Sequence, residues 1–72
     1  MDIPIETIAD IFKTLSDTNR LRIIRVLTMD CQSVSTIVEE TGLSQPLVSH
    51  HLRILREAGL ARAESRGAFT YY

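Results

Sequence analysis

The segment LSQPLVSHHLRILREAGL, residues 43–60, predicts one helix with a marked beginning and a marked end. Ser44 can cap its first turn, because the hydroxyl can accept a hydrogen bond from an unpaired backbone N–H group. Pro46 is well tolerated in that turn, where its missing N–H group needs no partner. Gly59 suits the left-handed conformation that commonly follows a helix. The neighbouring segments are expected to attach to this helix.

The predicted helix has two faces of different chemistry when its residues are placed about 100° apart. One face is an apolar stripe of Val48, Leu52 and Leu55. The opposite face has hydroxyl, amide, imidazole and guanidinium groups and no carboxylate; it comprises Gln45, Pro46, Ser49, His50 and Arg53. Such groups can bind base edges and phosphates in a DNA major groove. An ordinary surface helix has the same two-faced pattern, so both interpretations stay open for this helix alone.

His51 lies at the edge of the apolar stripe, which favours a packed histidine that is hydrogen-bonded inside the protein.

Upstream, residues 4–15 have apolar side chains at helical spacing. The positions are Ile5, Ile8, Ala9, Ile11, Phe12 and Leu15. This stripe is too wide for one neighbouring helix to cover, which favours a second partner surface such as another subunit.

Ser16 or Asp17 can cap a second helix. In that helix Leu21, Ile24 and Leu27 fall on one stripe, and the helical pattern continues through residue 29. Its arginines are expected mainly on a solvated face, although Arg20 and Arg25 are also placed to touch a DNA backbone.

Ser33 can cap a third helix that ends at Thr41, and Gly42 follows it. A turn of three to four residues containing glycine then leads directly into the helix of residues 43–60. Two short helices joined in this way form a helix-turn-helix, whose second helix is placed to enter the major groove.

After Gly59 the pattern changes to two β-compatible segments, residues 60–65 and 68–72, separated by Arg66-Gly67. Gly67 can supply the positive φ that a tight hairpin needs. A hairpin directly after a recognition helix is a wing, with Arg66 at its tip. Because two strands alone are marginally stable, this hairpin is expected to pack on the helices through Leu60, Phe69 or a tyrosine.

Length and composition indicate one domain, residues 1–72. Cys31 is the only cysteine, which excludes an internal disulfide and fits a reducing compartment. The chain has no signal-peptide pattern and no apolar run long enough to cross a bilayer. We therefore expect a cytoplasmic protein with no membrane partner.

Charge is unevenly distributed along the chain. Residues 1–42 have four basic and seven acidic side chains, a net charge of −3, whereas residues 43–72 have four basic and two acidic ones, a net charge of +2. This asymmetry favours phosphate contacts by the C-terminal half, although chance can produce such a split among so few charges.

Residues 12–24 (FKTLSDTNRLRII), 42–52 (GLSQPLVSHHL) and 55–60 (LREAGL) closely resemble the ArsR/SmtB family of dimeric winged-helix repressors. The resemblance covers nearly the whole chain from residue 5. It implies that Ser44, Gln45, Ser49 and His50 meet the major groove and that Arg62 and Arg66 serve the wing. It also places the first helix at a two-fold interface, formed by Ile5, Ile8, Ile11, Phe12 or Leu15.

The chain departs from the family pattern at two places. Metal-sensing members have a Cys-Val-Cys motif whose cysteine positions correspond to Ser33 and Ser35, and hydroxyls are poor ligands for thiophilic ions. We therefore predict no metal site and no cofactor, with an inducer and the role of Cys31 left open. Members usually continue into a last helix beyond Tyr72, so the sequence is a shortened chain, part of a longer protein or a natural minimal version.

The combined prediction is a mainly α (α+β) winged helix-turn-helix of four helices followed by a two-stranded hairpin. Its predicted function is that of a transcriptional repressor that binds a pseudo-palindromic operator in double-stranded DNA as a homodimer. The alternative is a winged helix that binds another protein and no DNA. An enzyme is not expected, because His50 and His51 diverge on a helix and no glycine-rich phosphate loop precedes a helix.

Overall fold

The computed structural model describes residues 2–72 and contains four helices followed by two strands. The elements are α1 (Ile5–Leu15), α2 (Thr18–Leu27), α3 (Val34–Thr41), α4 (Gln45–Glu57), β1 (Glu64–Arg66) and β2 (Phe69–Tyr71). This architecture confirms the predicted winged helix-turn-helix. Among the described residues, no helix is long and apolar enough to cross a membrane.

The helix ends follow the predicted local signals. Asp17, Ser33 and Ser44 each accept a hydrogen bond from the backbone N–H three residues further on, at 3.0–3.3 Å. Gly42 and Gly59 have φ values of 72° and 76°, in the left-handed region that glycine enters without steric strain. The helix predicted from residues 43–60 is therefore α4, capped by Ser44 and followed by Gly59.

The core consists of five apolar side chains from α2, α3 and α4, each no more than 1% exposed. They are Ile23, Ile37, Val48, Leu52 and Leu55. The predicted stripe of α4 is thus confirmed, whereas the predicted stripe of α2 is wrong at Leu21, which is 49% exposed. Because α2 packs against both α3 and α4, its buried side is centred on Ile23, and the helix ends at Leu27, before residue 29.

The hairpin is shorter than predicted. Glu64 pairs with Tyr71 and Arg66 with Phe69, which leaves Gly67 and the following alanine as a two-residue turn. Gly67 has φ 62°, as a tight hairpin turn requires. Arg66 is therefore the last residue of β1 rather than the tip of the turn.

The hairpin attaches to the helices through its C-terminal end. Tyr72 packs against the core, and its backbone exchanges two hydrogen bonds with Gln32, at 2.8 and 2.9 Å. The expectation of a tyrosine anchor is confirmed. Leu60 and Phe69, the two predicted alternatives to a tyrosine, are 39% and 59% exposed. The backbone pairing with Gln32 holds the wing beside the start of α3.

Candidate nucleic-acid interface

The helix-turn-helix consists of α3, a turn of residues 42–44, and α4. Gly42 ends α3 in the left-handed conformation, and Ser44 caps α4 two residues later. Ile37 of α3 packs with Val48 and Leu52 of α4 in the core. These contacts turn the opposite side of α4 outward and hold it in place.

That outward side is the α4 face, defined as Gln45, Pro46, Ser49, His50 and Arg53, all of which are exposed. None of its polar side chains has a hydrogen-bonding partner within residues 2–72. The donors and acceptors of this face are therefore available to a ligand. Amide, hydroxyl, imidazole and guanidinium groups on one exposed helix suit the edges of base pairs and the flanking phosphates.

Ser44 lies beside this face but already has a structural role. Its hydroxyl accepts the Leu47 N–H at 3.3 Å. A serine hydroxyl can still donate its own proton while it accepts. Ser44 can thus cap the helix and donate a hydrogen bond to a phosphate at the same time.

The two predicted wing cations lie outside α4. Arg66 Nη2 lies 3.1 Å from Glu64 Oε2 on the same strand, and its guanidinium carbon lies 5.3 Å from the centre of the Tyr71 ring. The hydrogen bond to Glu64 raises the pKa of Arg66 above its usual value. Arg62 is exposed in the segment before β1 and lines a groove with Leu27. The contact with Glu64 uses only Nη2 of Arg66, and the guanidinium has further N–H donors that can bind a phosphate.

His51 faces the interior, next to the exposed His50. It is 5% exposed, and its Nδ1 accepts a hydrogen bond from Arg20 Nε at 3.1 Å. The packed, hydrogen-bonded histidine is thereby confirmed. Burial lowers the pKa of His51, although the Asp17 carboxylate, 4.0 Å from Nε2, acts in the opposite direction.

Arg20 is a residue whose role the sequence did not reveal. Its guanidinium binds His51 and also donates from Nη1 to the Thr14 carbonyl oxygen at 2.9 Å. The expectation that Arg20 lies mainly on a solvated face is therefore wrong, because the side chain is half-buried between elements. Its partner on α4 is 31 positions away, so no local pattern could identify this contact.

One of the two positions that correspond to the family's metal motif has a structural role in this chain. Ser33 is the N-cap of α3 and contacts the Thr36 hydroxyl at 3.1 Å. Cys31 is an exposed free thiol. Within the described part of the chain, no group of three or more His, Cys, Asp or Glu side chains is placed to hold a metal ion.

Helix α1 has an apolar surface that the other described residues, 2–72, leave uncovered. Ile5, Ile8 and Phe12 are 79%, 39% and 68% exposed and lie along one side of the helix at helical spacing; these three residues are the α1 stripe. The other two predicted interface residues, Ile11 and Leu15, are half-buried. The predicted interface set thus divides into an outward stripe and an inward pair.

The fold and the α4 face define a winged helix-turn-helix DNA-binding domain. Residues 17–63 match the family model described as bacterial regulatory protein, arsR family. The chain belongs to the ArsR family, which is a family of transcriptional regulators and not of enzymes.

Three similar proteins illustrate the match. The chain is 38% identical to an HTH-type transcriptional regulator of Methanocaldococcus jannaschii over 93% of its own length and 76% of that protein. It is 35% identical to the transcriptional repressor SdpR of Bacillus subtilis over 88% of its length and 70% of SdpR. A homodimeric winged helix-turn-helix DNA-binding domain from Mycobacterium bovis superposes with a TM-score of 0.87 at 29% identity, over 94% of this chain and 63% of that one.

Proposed function

We propose that this chain is a repressor that binds a pseudo-palindromic operator as a homodimer and blocks transcription by occupying the site. The observation that carries the proposal is the α4 face, whose polar side chains are exposed and free of partners within residues 2–72. Two similar proteins also support it. SdpR is a transcriptional repressor, which supports repression, and the Mycobacterium bovis domain is homodimeric, which supports binding as a homodimer.

In this proposal the α4 face reads bases. Gln45, Ser49 and His50 hydrogen-bond to base edges in the major groove, and Pro46 offers an apolar surface to a thymine methyl group. Arg53 lies further along the same face and binds a phosphate. These roles follow from the side-chain chemistry and from the shared exposed face.

The remaining residues of the proposed interface, one serine and two arginines, position the protein on the duplex. Ser44 donates to a phosphate near the beginning of α4, and Arg62 and Arg66 bind the backbone beside the wing. Phosphate contacts fix the register of a protein on DNA without reading its sequence. In a dimer, two α4 helices must lie about 34–36 Å apart to enter successive major grooves.

The test compares His50→Ala with the unaltered chain on a random duplex and on a duplex from the promoter DNA upstream of the protein's own gene, which serves as the operator duplex. His50→Ala should weaken operator binding by roughly 1–3 kcal/mol and lower the preference for operator over random DNA, because a base-reading contact is lost. Fluorescence anisotropy over a salt series measures both affinities. Lys13→Ala serves as the control, since Lys13 is an exposed cation on α1, outside the proposed interface.

An unchanged operator-to-random ratio in His50→Ala would contradict the base-reading role. Phosphate binding weakens steeply as salt increases. A wild-type chain without salt-dependent binding to either duplex would favour a winged helix used for protein contact.

A further inference from the structure

Arg20 contacts three parts of the fold at once. Its Nε donates to His51 Nδ1 on α4 at 3.1 Å, and its Nη1 donates to the Thr14 carbonyl oxygen near the end of α1 at 2.9 Å. Its backbone N–H donates to Asp17, the cap of α2, at 3.0 Å. These residues form the Arg20 network, which joins α1, α2 and the recognition helix α4.

The bond to Thr14 matters because α1 is otherwise weakly attached. None of the side chains of α1 is fully buried, and the five core side chains all belong to α2, α3 and α4. The last four carbonyl groups of a helix lack intrahelical partners, and a cation is favourable at that end of the helix. Arg20 therefore supplies a directed polar attachment where apolar packing supplies little.

The bond to His51 fixes the orientation of its ring and its tautomer. An arginine Nε always donates, so His51 Nδ1 must be unprotonated and Nε2 must hold the proton of the neutral ring. Nε2 then faces Asp17 Oδ1 at 4.0 Å. The planar guanidinium holds its two donors at a fixed angle, so that the positions of Thr14 and His51 are coupled.

We propose that Arg20 and His51 are positioning residues that hold the recognition helix α4 at a fixed placement relative to α1, and thereby set how a dimer meets DNA. This inference rests on the proposed function. Because dimerisation through α1 carries each α4 helix with it, any change between α1 and α4 alters the spacing of the two recognition helices. That spacing must match successive major grooves, and a loosely held helix must lose additional freedom on binding.

The test uses substitutions that differ in one hydrogen-bond acceptor. His51→Leu removes the acceptor, whereas His51→Asn keeps an oxygen at the position of Nδ1. His51→Leu and Arg20→Gln should each weaken operator binding about tenfold, equivalent to about 1.4 kcal/mol, while His51→Asn should stay within about twofold of the wild type. The double variant Arg20→Gln/His51→Leu should bind no more weakly than the weaker single variant, because both changes break one network.

Ile23→Val is the control for general loss of stability, since it shortens a buried core side chain and leaves the network intact. Thermal unfolding establishes that each variant is folded at the assay temperature. Equal operator affinities in all variants would overturn the proposal. An equal loss of operator affinity in His51→Asn and His51→Leu would also overturn it. The hydrogen-bond acceptor at the position of Nδ1 would then have no effect on binding.

A second readout needs no DNA. Nitrogen NMR of the wild-type chain should show neutral His51 protonated on Nε2, and the Arg20 Nε–H should exchange faster with water in His51→Leu than in His51→Asn. A proton on Nδ1 would overturn the proposal whatever the binding assay shows. A wild-type chain that binds neither duplex would contradict the proposed function itself. If the wild type binds and the variants do not lose affinity as expected, only the proposal about the Arg20 network fails.

Discussion

His51 couples the stability of the fold to pH. Burial lowers its pKa from the usual 6.5, and the charges facing it are Asp17, which raises that pKa, and Arg20 and His50, which lower it further. The unfolded chain therefore binds this proton more readily than the folded chain does. The contribution of the neutral His51 ring to the free energy of unfolding is therefore fully present above pH 6.5. It decreases as the pH falls toward the lower pKa of the folded state.

The expected result is a free energy of unfolding that keeps the full contribution of neutral His51 above the ordinary pKa of 6.5 and decreases as the pH falls below it. Urea unfolding at a series of pH values measures it. His51→Asn should remove this decrease in the free energy of unfolding. His50→Asn should leave the decrease unchanged, because His50 is exposed. The backbone N–H of Arg20 lowers the pKa of Asp17 from 3.8, so Asp17 adds a separate loss only in stronger acid. A flat wild-type profile would show that His51 is not held neutral by burial.

Single residues also show what the sequence could and could not predict. The caps at Asp17, Ser33 and Ser44 depend on neighbours three positions away. Ser33 and Ser44 were predicted from their local patterns, and Asp17 was one of two predicted candidates for the cap of α2. The contact between Arg20 and His51 depends on how α2 packs against α4, across 31 positions. The burial of His51 was predicted from its place on the helix, but the identity of its partner was not.

Whole helices and strands were also predicted correctly where local sequence determines them, and incorrectly where packing against other elements does. In α4 the apolar positions lie on one side only, so the buried stripe was predicted correctly. Apolar residues surround much of α2, at positions 21, 23, 24, 26 and 27, and its buried side depends on the two helices that pack against it. Likewise, β-compatible residues extend beyond β1 and β2, but pairing is limited to three residues on each strand.

The ion pair on β1 predicts how the wing takes part in DNA binding. Glu64 holds Arg66 at 3.1 Å while both side chains stay largely exposed, and such surface pairs contribute only about 0.2–1 kcal/mol. Glu64→Gln should therefore release Arg66 and tighten binding to operator and random duplexes alike, by up to about fivefold. Arg66→Ala should weaken both and reduce the salt slope by about one unit.

Affinities over a salt series measure these changes, and Glu6→Gln on α1 controls for the loss of one negative charge elsewhere. The gain from Glu64→Gln should disappear when Arg66 is also replaced by alanine. If the gain persists in that double variant, the effect is one of net charge, and the ion pair does not restrain the wing.

The exposure of the α1 stripe leads to a prediction about how the whole molecule assembles. Ile5, Ile8 and Phe12 are exposed along one side of a helix that contributes no fully buried side chain to the core. Soluble monomers rarely leave large apolar patches uncovered. Burial of about 400 Å² of apolar surface on each subunit would give roughly 20 kcal/mol gross at about 25 cal/mol per Å². Association entropy and side-chain ordering offset roughly 4–15 kcal/mol of that, so the remaining free energy still favours a dimer.

Ile8→Glu should therefore abolish the dimer, because Ile8 lies between Ile5 and Phe12 and a charge there would be buried without a partner in the interface. Sedimentation velocity over a concentration series should show a monomer–dimer equilibrium for the wild type and a monomer for Ile8→Glu. Thr7→Glu adds the same charge at an exposed position of α1 that lies outside the α1 stripe, so this variant should keep the dimer. Operator affinity should fall with Ile8→Glu and not with Thr7→Glu, since both recognition helices must bind together. A wild-type chain that stays folded and monomeric at hundreds of micromolar would show that the α1 stripe is not a dimer interface.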